Sequence, residues 1–562
     1  MIQEEKASGL QNYKARVLVV DNDPEIREAN ATKLRYWDYE PVIALGMGRA
    51  LPKDAVEKAR ARRCQLALVD LHLLDDHDHA DWSGLELIQE LLPTRSVIHS
   101  GSVHFQTIRE ALSNSPALGF VGKSESPAYL REMLDRFAGV FCACRHQIEI
   151  EWPAGLSSEE VARLMFPDNP EVPGDEAADI LVRLFPKATT LKLDYLGGHS
   201  PATPSLPRQR AIVLRAWEES TQPVIVKLAR AFKMEAAVEN YHLYIKRRLA
   251  GNFVPNLEES AILWDIGGAV YTLLGSSGDV IPLSKAYANP EIKTRHITNS
   301  LGQFFNHTWL PHYEQKAVRQ ESSLVQLYDA VWYGDWWLKK LLEYSQAGRV
   351  TEALQGWPAW QTLGLPEPVQ WLARRVESER QGEPLPFQAA VTHGDLHSEN
   401  LLVDTSNHNI WVIDFERTGY GHILQDFVEL EGDLLVHLVA IPGEDLDRLY
   451  ALFICAAASA RLRKTCRLER EDPQISRVLE MVRFLRRTAA ERSGLVSAQE
   501  YLYGVLLNVL FRAMLLLNAG DPPGKLLPAL MLASILCYRL DHWQDTWPPP
   551  SWPPVPFSNG AR

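Results

Sequence analysis

The stretch HGDLHSENLLVDTSNHNIWVIDFE, residues 393–416, combines a polar loop with the pattern of a β-hairpin. The apolar runs LLVD and NIWVID predict two strands joined by the turn sequence TSNH. Folding this hairpin places Asp414 at the same end as Asn400, where one cation could bind both side chains. Asp395 precedes Asn400 with four residues between them. The stretch therefore predicts a cluster of acidic and amide oxygens beside a short antiparallel sheet.

The spacing of Asp395 and Asn400 indicates phosphoryl transfer to a hydroxyl group. This reaction requires an acid near the attacking hydroxyl and metal ligands that bridge the phosphates, and kinase catalytic loops have the same Asp-x-x-x-x-Asn spacing. We expect Asp395 to orient or deprotonate the nucleophile, and Asn400 and Asp414 to hold Mg²⁺. His397 could be a further metal ligand, although a histidine that braces the loop is the favoured interpretation. A plain hairpin with an Asp/Asn-rich loop is the alternative.

These residues resemble the catalytic loop of the aminoglycoside phosphotransferase and choline kinase group, within the protein-kinase-like superfamily. IDFE stands where that group has its metal-binding IDxE or IDWD segment, and QDFVELE continues the match. The resemblance covers about residues 176–545 and is strongest at 391–431. It implies an α+β bilobal protein-kinase-like fold, ATP and Mg²⁺ as cofactors, and a phosphoryl acceptor that is a small-molecule hydroxyl or another group. It also implies that Asp426 braces the loop.

The region before this stretch has the pattern of a small β-sheet. Strand patterns occur at 188–196, 210–217, 223–229 and 268–274, and a helix pattern occurs at 233–249. Lys227 lies in the third strand. A lysine in such a place usually faces solvent, but it can also contact the α- and β-phosphates of ATP. Glu235 is its preferred helix partner, with Glu239 one turn later as the alternative.

Gly197 and Gly198 belong to the sequence LGGHS between the first two of these strands. A glycine-bearing hairpin can approach phosphates with its backbone N–H groups, so both are candidates for nucleotide binding. Two adjacent glycines more often form a plain turn. The chain departs from the group here, because a Pro-rich insertion follows the loop and a third glycine is missing.

The first 140 residues have a different pattern, in which apolar runs alternate with helical stretches. The runs are RVLVVD, QLALVDL, SVIHS and LGFVGK, and helical stretches include 50–63, 84–92, 105–113 and 127–137. This alternation predicts a doubly wound parallel α/β sheet. Functional residues of such sheets gather at the carboxyl ends of the strands. The residues at these ends are Asp21, Asp70, Ser100 and Lys123.

This set suits an aspartate that accepts a phosphoryl group. Such an aspartate needs a divalent cation held by neighbouring acids, and a hydroxyl and an ammonium to hold the product oxygens. Residues 16–138 resemble the receiver domain of two-component response regulators. The resemblance makes Asp70 the phosphoacceptor and a metal ligand with Asp21, and it makes Ser100, Lys123 and Phe120 the switch residues. It implies a histidine kinase or a small phosphodonor as partner, and it allows a homodimer through the receiver.

Two features depart from the receiver pattern. Asn22 follows Asp21 where the family usually has a second acid that binds the metal. The chain thus lacks one acidic metal ligand of the family pattern. The loop LHLLDDHDHADWSG after Asp70 is longer than usual and rich in Asp and His. It could hold a metal ion of its own, but a charged loop of this kind is more often simply solvated.

Composition limits the function classes. The chain has 562 residues, a net charge of −13 and 46% hydrophobic residues, which is typical of soluble globular proteins and gives no indication of nucleic-acid or membrane binding. Six cysteines without a CxxC pair predict reduced thiols. The apolar runs 506–517 and 526–538 are interpreted as buried helices, because polar residues interrupt the first and the second is too short to span a bilayer. We expect a cytoplasmic protein.

The patterns predict six consecutive regions. They are an N-terminal tail 1–15, a receiver domain 16–139, a linker 140–175, a kinase-like small lobe 176–275, a helical large lobe 276–545 and a proline-rich tail 546–562. The tail WPPPSWPPVPF could be a docking peptide or a disordered end. The favoured hypothesis is a signalling enzyme whose receiver regulates an ATP-dependent phosphotransferase. The alternatives are a catalytically weak nucleotide- or partner-binding scaffold, and an active kinase whose receiver only dimerises.

Overall fold

The computed structural model describes most of the chain. The described residues are 13–75, 81–101, 112–113, 115–146, 148–167, 174–198, 211–218, 222–249, 254–272, 280–319, 323–332, 336–381, 386–407, 409–464, 466–468, 472–519, 524–555 and 557–558. They form two compact units. The first comprises the described residues of Met1–Thr203, Pro207–Glu235 and Leu257–Thr272, and the second comprises those of Ala236–Asn256 and Leu273–Arg562.

The first unit begins with a five-stranded parallel sheet in the order β2-β1-β3-β4-β5. Its strands are β1 Arg16–Val20, β2 Glu40–Ile43, β3 Leu66–Val69, β4 Arg95–Ser100 and β5 Gly119–Gly122. The described helices are α1 Pro24–Tyr36, α2 Ala50–Ala61, α3 Ser83–Glu90 and α4 Pro127–Phe141. Strands β1 and β3 are buried almost throughout, as expected for a sheet covered on both faces. The predicted doubly wound parallel sheet is confirmed.

Strand β2 is absent from the sequence prediction. Its four residues, EPVI, form an edge strand that contains Pro41, and only Val42 is buried. A proline in a short edge strand argues against a strand assignment, so the sequence pattern does not identify this element. The helix predicted at 105–113 lies outside the described residues except at 112–113.

The first unit also contains a six-stranded sheet in the order β10-β11-β9-β8-β7-β6, in which only β6 and β7 are parallel. Its strands are β6 Glu149–Glu151, β7 Thr190–Gly198, β8 Ala211–Glu218, β9 Val224–Arg230, β10 Leu257–Leu263 and β11 Ile266–Thr272. Helices α5 Ser158–Met165 and α6 Asp175–Leu184 precede β7, and α7 Ala231–Asn240 follows β9. The predicted linker 140–175 thus contains β6 and α5.

Two strands of this sheet escaped the sequence prediction, and both lie at its edges. Strand β10 has three consecutive exposed polar residues, Glu258, Glu259 and Ser260, so it lacks an apolar alternation. Strand β6 is only three residues long, and none of its side chains is fully buried.

The second unit is mainly helical. Its small sheets are β12-β15-β16, β13-β14-β17 and β18-β19, formed by Val280–Pro282, Ala317–Arg319, Phe387–Thr392, Leu401–Asp404, Ile410–Val412, Gly419–His422, Arg467–Leu468 and Phe557–Ser558 for β12 to β19 in chain order. The helices after α7 are α8 Leu283–Ala288, α9 Thr294–Gln303, α10 Leu310–Glu314, α11 Leu324–Val331, α12 Trp336–Gln346, α13 Arg349–Gln355, α14 Ala359–Thr362, α15 Pro368–Gln381, α16 Gln425–Asp433, α17 Leu446–Ala457, α18 Pro473–Ser493, α19 Gln499–Ala519 and α20 Leu526–Asp541. The predicted hairpin is observed as β15 and β16, with Leu401 opposite Val412.

Helix α19 forms the centre of this unit. By length and composition it is the one helix among the described residues that could cross a membrane, yet 78% of its most apolar window is buried inside the protein. Helix α20, which packs against it, is buried along most of its length. The interpretation of 506–517 and 526–538 as buried helices is therefore confirmed.

The proline-rich segment after α20 packs on the second unit. The indole of Trp547 donates a hydrogen bond to the carbonyl of Ile454 at 3.0 Å, and the indole of Trp552 donates to that of Leu363 at 3.1 Å. Trp552 is buried, and its ring lies tilted against that of Tyr538, with the ring centroids 4.8 Å apart. The described part of the tail, residues 546–555 and 557–558, therefore belongs to the packed helical unit and is neither an unattached docking peptide nor a disordered end.

Candidate functional site

The parallel sheet of the first unit collects the predicted receiver residues at the carboxyl ends of its strands. Asp21 follows β1, Asp70 follows β3, and Lys123 comes directly after β5. The ammonium of Lys123 lies 2.5 Å from Asp70 Oδ2 and 2.8 Å from Asp21 Oδ2. Ser100 is buried at the end of β4, and its carbonyl accepts a hydrogen bond from the backbone N–H of Lys123. Phe120 is half-buried against the core of the sheet.

The charges at this site depend on each other. Burial raises the pKa of Asp21 to about 6, with Asp70 contributing in the same direction and Lys123 opposing it. Burial works against the charge of Lys123, but the two carboxylates outweigh it and raise the lysine pKa. A divalent cation here would relieve the repulsion between the two acids.

Asn22 and Asp23 have separate environments. The Oδ1 atom of Asn22 is buried and has no hydrogen-bond partner. Asp23 caps helix α1, because its carboxylate accepts the N–H of Glu25 at 2.8 Å. The carboxylates of Asp21 and Asp70 are the oxygen ligands that Mg²⁺ prefers, and the buried amide oxygen of Asn22 belongs to the residue after Asp21. The two carboxylates therefore fit the predicted metal.

The acidic loop after Asp70 is organised around Asp81. Its carboxylate accepts the N–H groups of Leu74 at 2.8 Å, Asp75 at 3.0 Å and Ser83 at 3.0 Å. These bonds make Asp81 a structural anchor of the loop. No group of three metal-ligand side chains occurs in the part of the chain that the structure describes, and residues 76–80 of this loop lie outside that part.

The polar loop 393–400 of the second unit brings Asp395 and Asn400 into contact. The Nδ2 atom of Asn400 donates to the Asp395 carbonyl at 2.9 Å and lies 3.1 Å from His397 Nε2. The Asn400 carbonyl accepts the N–H of Ile413 at 3.0 Å, which places Asp414 next to it in the chain. The hairpin thus brings Asp414 to the Asn400 end, as expected. His397 contacts its loop neighbours, consistent with a bracing role.

Arg417 was not predicted, and it lies against Asp395. Its guanidinium donates to Asp395 Oδ1 at 3.0 Å. Burial opposes the charge of Asp395, but Arg417 and His397 outweigh it and lower the pKa of this carboxyl. Asp395 is therefore held ionised, as a hydrogen-bond acceptor for a hydroxyl must be. The amide oxygen of Asn400 and the carboxylate of Asp414 are hard oxygen donors that fit Mg²⁺.

Three acids of helix α16 hold the loop, and we call them the loop-holding acids: Asp426, Glu429 and Asp433. Their spacing places them along one side of the helix. Four N–H groups of the loop donate to them: His393 and Gly394 to Asp426 at 3.0 and 3.1 Å, Leu396 to Glu429 at 2.8 Å, and Ser398 to Asp433 at 2.9 Å. The role implied for Asp426 is thus observed, and two further acids share it. The sequence signal that could have revealed them is the i, i+3, i+7 spacing in QDFVELEGD.

Buried partners set the charges of these acids. Burial and the nearby charge of Asp395 raise the pKa of Glu429 to about 7. Burial opposes the charge of Asp433, but Arg512 and His437 outweigh it and hold its pKa well below the usual range. The guanidinium of Arg512 lies 2.9 Å from Asp433 Oδ1. Among the loop-holding acids, Asp433 is therefore firmly ionised, whereas Glu429 titrates near neutrality.

The remaining predicted residues lie in the six-stranded sheet of the first unit. Lys227 is 9% exposed on β9, where it pairs with Val213 of β8 and Ala269 of β11. Gly197 and Gly198 were expected between two strands, but both lie within β7, opposite Val213 and Ile212. Their predicted role in nucleotide binding stays a prediction. Strand β7 has a bulge between Tyr195 and Gly197 and continues through both glycines. The connection 199–210 lies outside the described residues.

The two candidate partners of Lys227 differ little in environment. Glu235 and Glu239 both lie on helix α7, and both are exposed. Exposure does not favour one over the other. The preference for Glu235 therefore stays a prediction.

Comparisons with known proteins find similarity in two separate parts of the chain. The family described as Ternary complex associated domain 9 matches residues 355–511. No curated protein matches the chain. Solved structures of response-regulator receivers match over the N-terminal part, about 22% of the chain.

Three of these structures illustrate the similarity. A response regulator from Thermotoga maritima is 20% identical, with 22% of this chain and 97% of that chain covered and a TM-score of 0.19. Chemotaxis protein CheY4 from Vibrio cholerae is 21% identical, with 22% and 98% covered and a TM-score of 0.19. The receiver domain of NtrX from Brucella abortus is 24% identical, with 21% and 95% covered and a TM-score of 0.18.

Proposed function

We propose that this chain is a two-component-type signalling protein in which a phosphoaccepting receiver regulates an ATP- and Mg²⁺-dependent phosphotransferase. The observation that carries the proposal is the held loop 393–400, where an ionised Asp395 contacts Asn400 and the hairpin brings Asp414 alongside. The acceptor would be a hydroxyl of a small molecule or of another substrate. A cytoplasmic location suits such a protein.

Each residue of the loop has a distinct task in this proposal. Asp395 accepts a hydrogen bond from the acceptor hydroxyl and orients it for attack. Arg417 keeps Asp395 ionised and fixes its direction. Asn400 and Asp414 hold Mg²⁺, which neutralises charge on the transferred phosphoryl group. Lys227 is the proposed phosphate-contacting lysine.

The receiver part of the proposal rests on the four residues at the carboxyl edge of the parallel sheet. Asp70 is the phosphoacceptor, and Lys123 already contacts it and Asp21. Ser100 and Phe120 are the proposed switch residues. The phosphodonor would be a histidine kinase or a small phosphorylated molecule, and we propose that phosphorylation changes the activity of the second unit.

The transferase is tested by ATP hydrolysis and ATP binding with Mg²⁺. We expect Asp395→Asn and Asp414→Ala each to lower Mg²⁺-dependent turnover by roughly 100-fold or more, because they remove the base and a metal ligand. Glu399→Gln is the matched control, since Glu399 is an exposed acid of the same loop. Turnover that survives both substitutions, or a wild type that neither binds nor hydrolyses ATP, would refute the transferase.

The receiver is tested by labelling with radioactive acetyl phosphate. We expect wild type to be labelled in the presence of Mg²⁺ and Asp70→Asn to lose the label. Asp38→Asn is a suitable control, because Asp38 is exposed and its positive φ of 66° is one that asparagine tolerates. An unlabelled wild type would instead favour a receiver that only dimerises.

A scaffold is the second candidate, and Arg417 is the observation that favours it. Its ion pair with Asp395 occupies one oxygen of the proposed base. The description of the matching family, Ternary complex associated domain 9, also suits a member of a larger assembly. Partner binding that survives Asp414→Ala, without phosphoryl transfer, would favour the scaffold.

A further inference from the structure

Strands β1 and β3 carry the receiver acids at one end and contact a single helix at the other. Asp21 and Asp70 follow their carboxyl ends. Arg16 begins β1, and Gln65 directly precedes β3. Both side chains bind helix α6, Asp175–Leu184, which we call the coupling helix. It belongs to the same compact unit and lies in the chain between β6 and β7 of the six-stranded sheet.

The contacts of the coupling helix with the receiver are polar and buried. Its acids Asp175, Glu176 and Asp179 are at most 5% exposed. Arg16 lies 3.2 Å from Asp175. Arg63 binds Glu176 through both Nη2, at 2.6 Å, and Nε. Asp179 accepts hydrogen bonds from Gln65, at 3.1 Å, and from Tyr13. Burial raises the pKa of Glu176 to about 7 while Arg63 opposes the shift, so the charge of Glu176 depends on this contact.

Apolar residues of the coupling helix pack on the six-stranded sheet. Ile180 and Leu184 lie against Gly268 of β11 so closely that a Cβ at 268 would lie 2.5 Å from Ile180 and 2.9 Å from Leu184. The next residue, Ala269, pairs with Lys227 of β9. The coupling helix therefore contacts the strand beside the proposed phosphate-contacting lysine.

A second contact also joins the receiver to the six-stranded sheet. Arg63 Nη1 lies 2.8 Å from Asp265, in the turn between β10 and β11. Trp264 in this turn packs against both the receiver core and the core beneath the six-stranded sheet. Arg63 thus connects the end of α2 to the coupling helix and to this turn at once.

Buried ion pairs make this connection stiff. Separating such a pair leaves a buried charge without its counterion, which is energetically costly. When the receiver side of such a pair is displaced slightly, we therefore expect its partner on the coupling helix to move with it. Gln65 and Asp70 are five residues apart along one strand, about 17 Å at about 3.3 Å per residue. A displacement of β3 on phosphorylation would reach the coupling helix directly.

We infer that the coupling helix transmits the phosphorylation state of Asp70 to the strand pair β9–β11 that carries Lys227. Strands β1 and β3 move Arg16 and Gln65, Arg63 moves with the segment that leads into β3, and these three side chains move the acids of the helix. The helix then shifts β11 through Ile180 and Leu184. This inference rests on the proposed receiver function and specifies how it would reach the nucleotide-binding strand.

The test uses hydrogen–deuterium exchange of the full-length protein with and without beryllium trifluoride and Mg²⁺, which mimic the phosphoryl group. In wild type we expect altered exchange at 65–71, 175–184 and 266–272. Glu176→Gln keeps the size of the side chain but removes its charge. It should retain the response at 65–71 and reduce that at 266–272 at least about threefold. Glu40→Gln is the matched control, because its ion pair with Arg62 is exposed.

A further variant covers the case in which Glu176→Gln does not fold. Arg63→Lys keeps the charge but cannot make the two-pronged contact with Glu176, so it should weaken the response at 266–272. A wild-type response confined to 65–71, or an undiminished response in a folded variant, would overturn the coupling while leaving the receiver function intact. No response even at 65–71 would overturn both.

Discussion

At the scale of single residues, Gly394 shows how tightly the loop is built. Its φ is +79°, and an added Cβ would lie 2.3 Å from the carbonyl oxygen of Arg417. Arg417 in turn binds Asp395. A side chain at 394 would therefore strain the backbone and displace the residue that orients the proposed base.

We expect Gly394→Ala to lower the free energy of unfolding by about 1–3 kcal/mol and to reduce ATP turnover. Denaturant unfolding followed by tryptophan fluorescence measures the first effect. Gly419→Ala serves as the control, because a Cβ at 419 meets nothing within 4 Å and the φ there is not positive. Equal stability of the two variants would show that the close approach to Arg417 is relaxed in solution.

At the scale of elements, helix α16 acts on the loop through the loop-holding acids. A helix that presents three carboxylates to one loop can satisfy backbone donors that the loop itself cannot pair. Asp433 binds Ser398 and also forms a buried ion pair with Arg512. The helix therefore fixes the loop and is itself tied to α19, which carries Arg512.

We expect Asp433→Asn to lower the free energy of unfolding by about 3–5 kcal/mol at neutral pH, because Arg512 would keep a buried charge without its counterion. The pKa of Asp433 is lowered in the folded protein, so its stabilisation is present above about pH 4 and is lost as the pH falls further. The difference from wild type should thus shrink in acid. Glu343→Gln, in an exposed ion pair, should have almost no effect.

At the scale of the whole molecule, the end of the chain completes the helical unit. Trp552 inserts near Tyr538 and bonds to Leu363, which is far from it in sequence. We expect Trp552→Ala to cost about 3–5 kcal/mol of unfolding free energy, since it empties a buried site. Ser551→Ala, at an exposed neighbour, should cost about 0.5 kcal/mol or less. Similar stability of both variants would mean that the tail is loosely attached.

The sequence by itself determined the elements whose signal is local. The apolar runs that end at Asp21, Asp70 and Ser100 identify buried parallel strands, because such strands need continuous apolar residues on both faces. The parallel arrangement then brings their ends together. The hairpin between Asn400 and Asp414 is likewise readable, since its strands and turn are contiguous.

Only the tertiary structure decided the features that depend on distant partners. Edge strand β10 has no apolar pattern, because three of its consecutive residues are exposed, and edge strand β2 is short and contains Pro41. The pairing of Arg63 with Glu176, 113 residues later, leaves no periodic trace in the sequence. The same holds for Arg417 on Asp395 and Arg512 on Asp433. Periodicity reports which face of an element is buried, whereas the choice of a polar partner is made only when the elements pack.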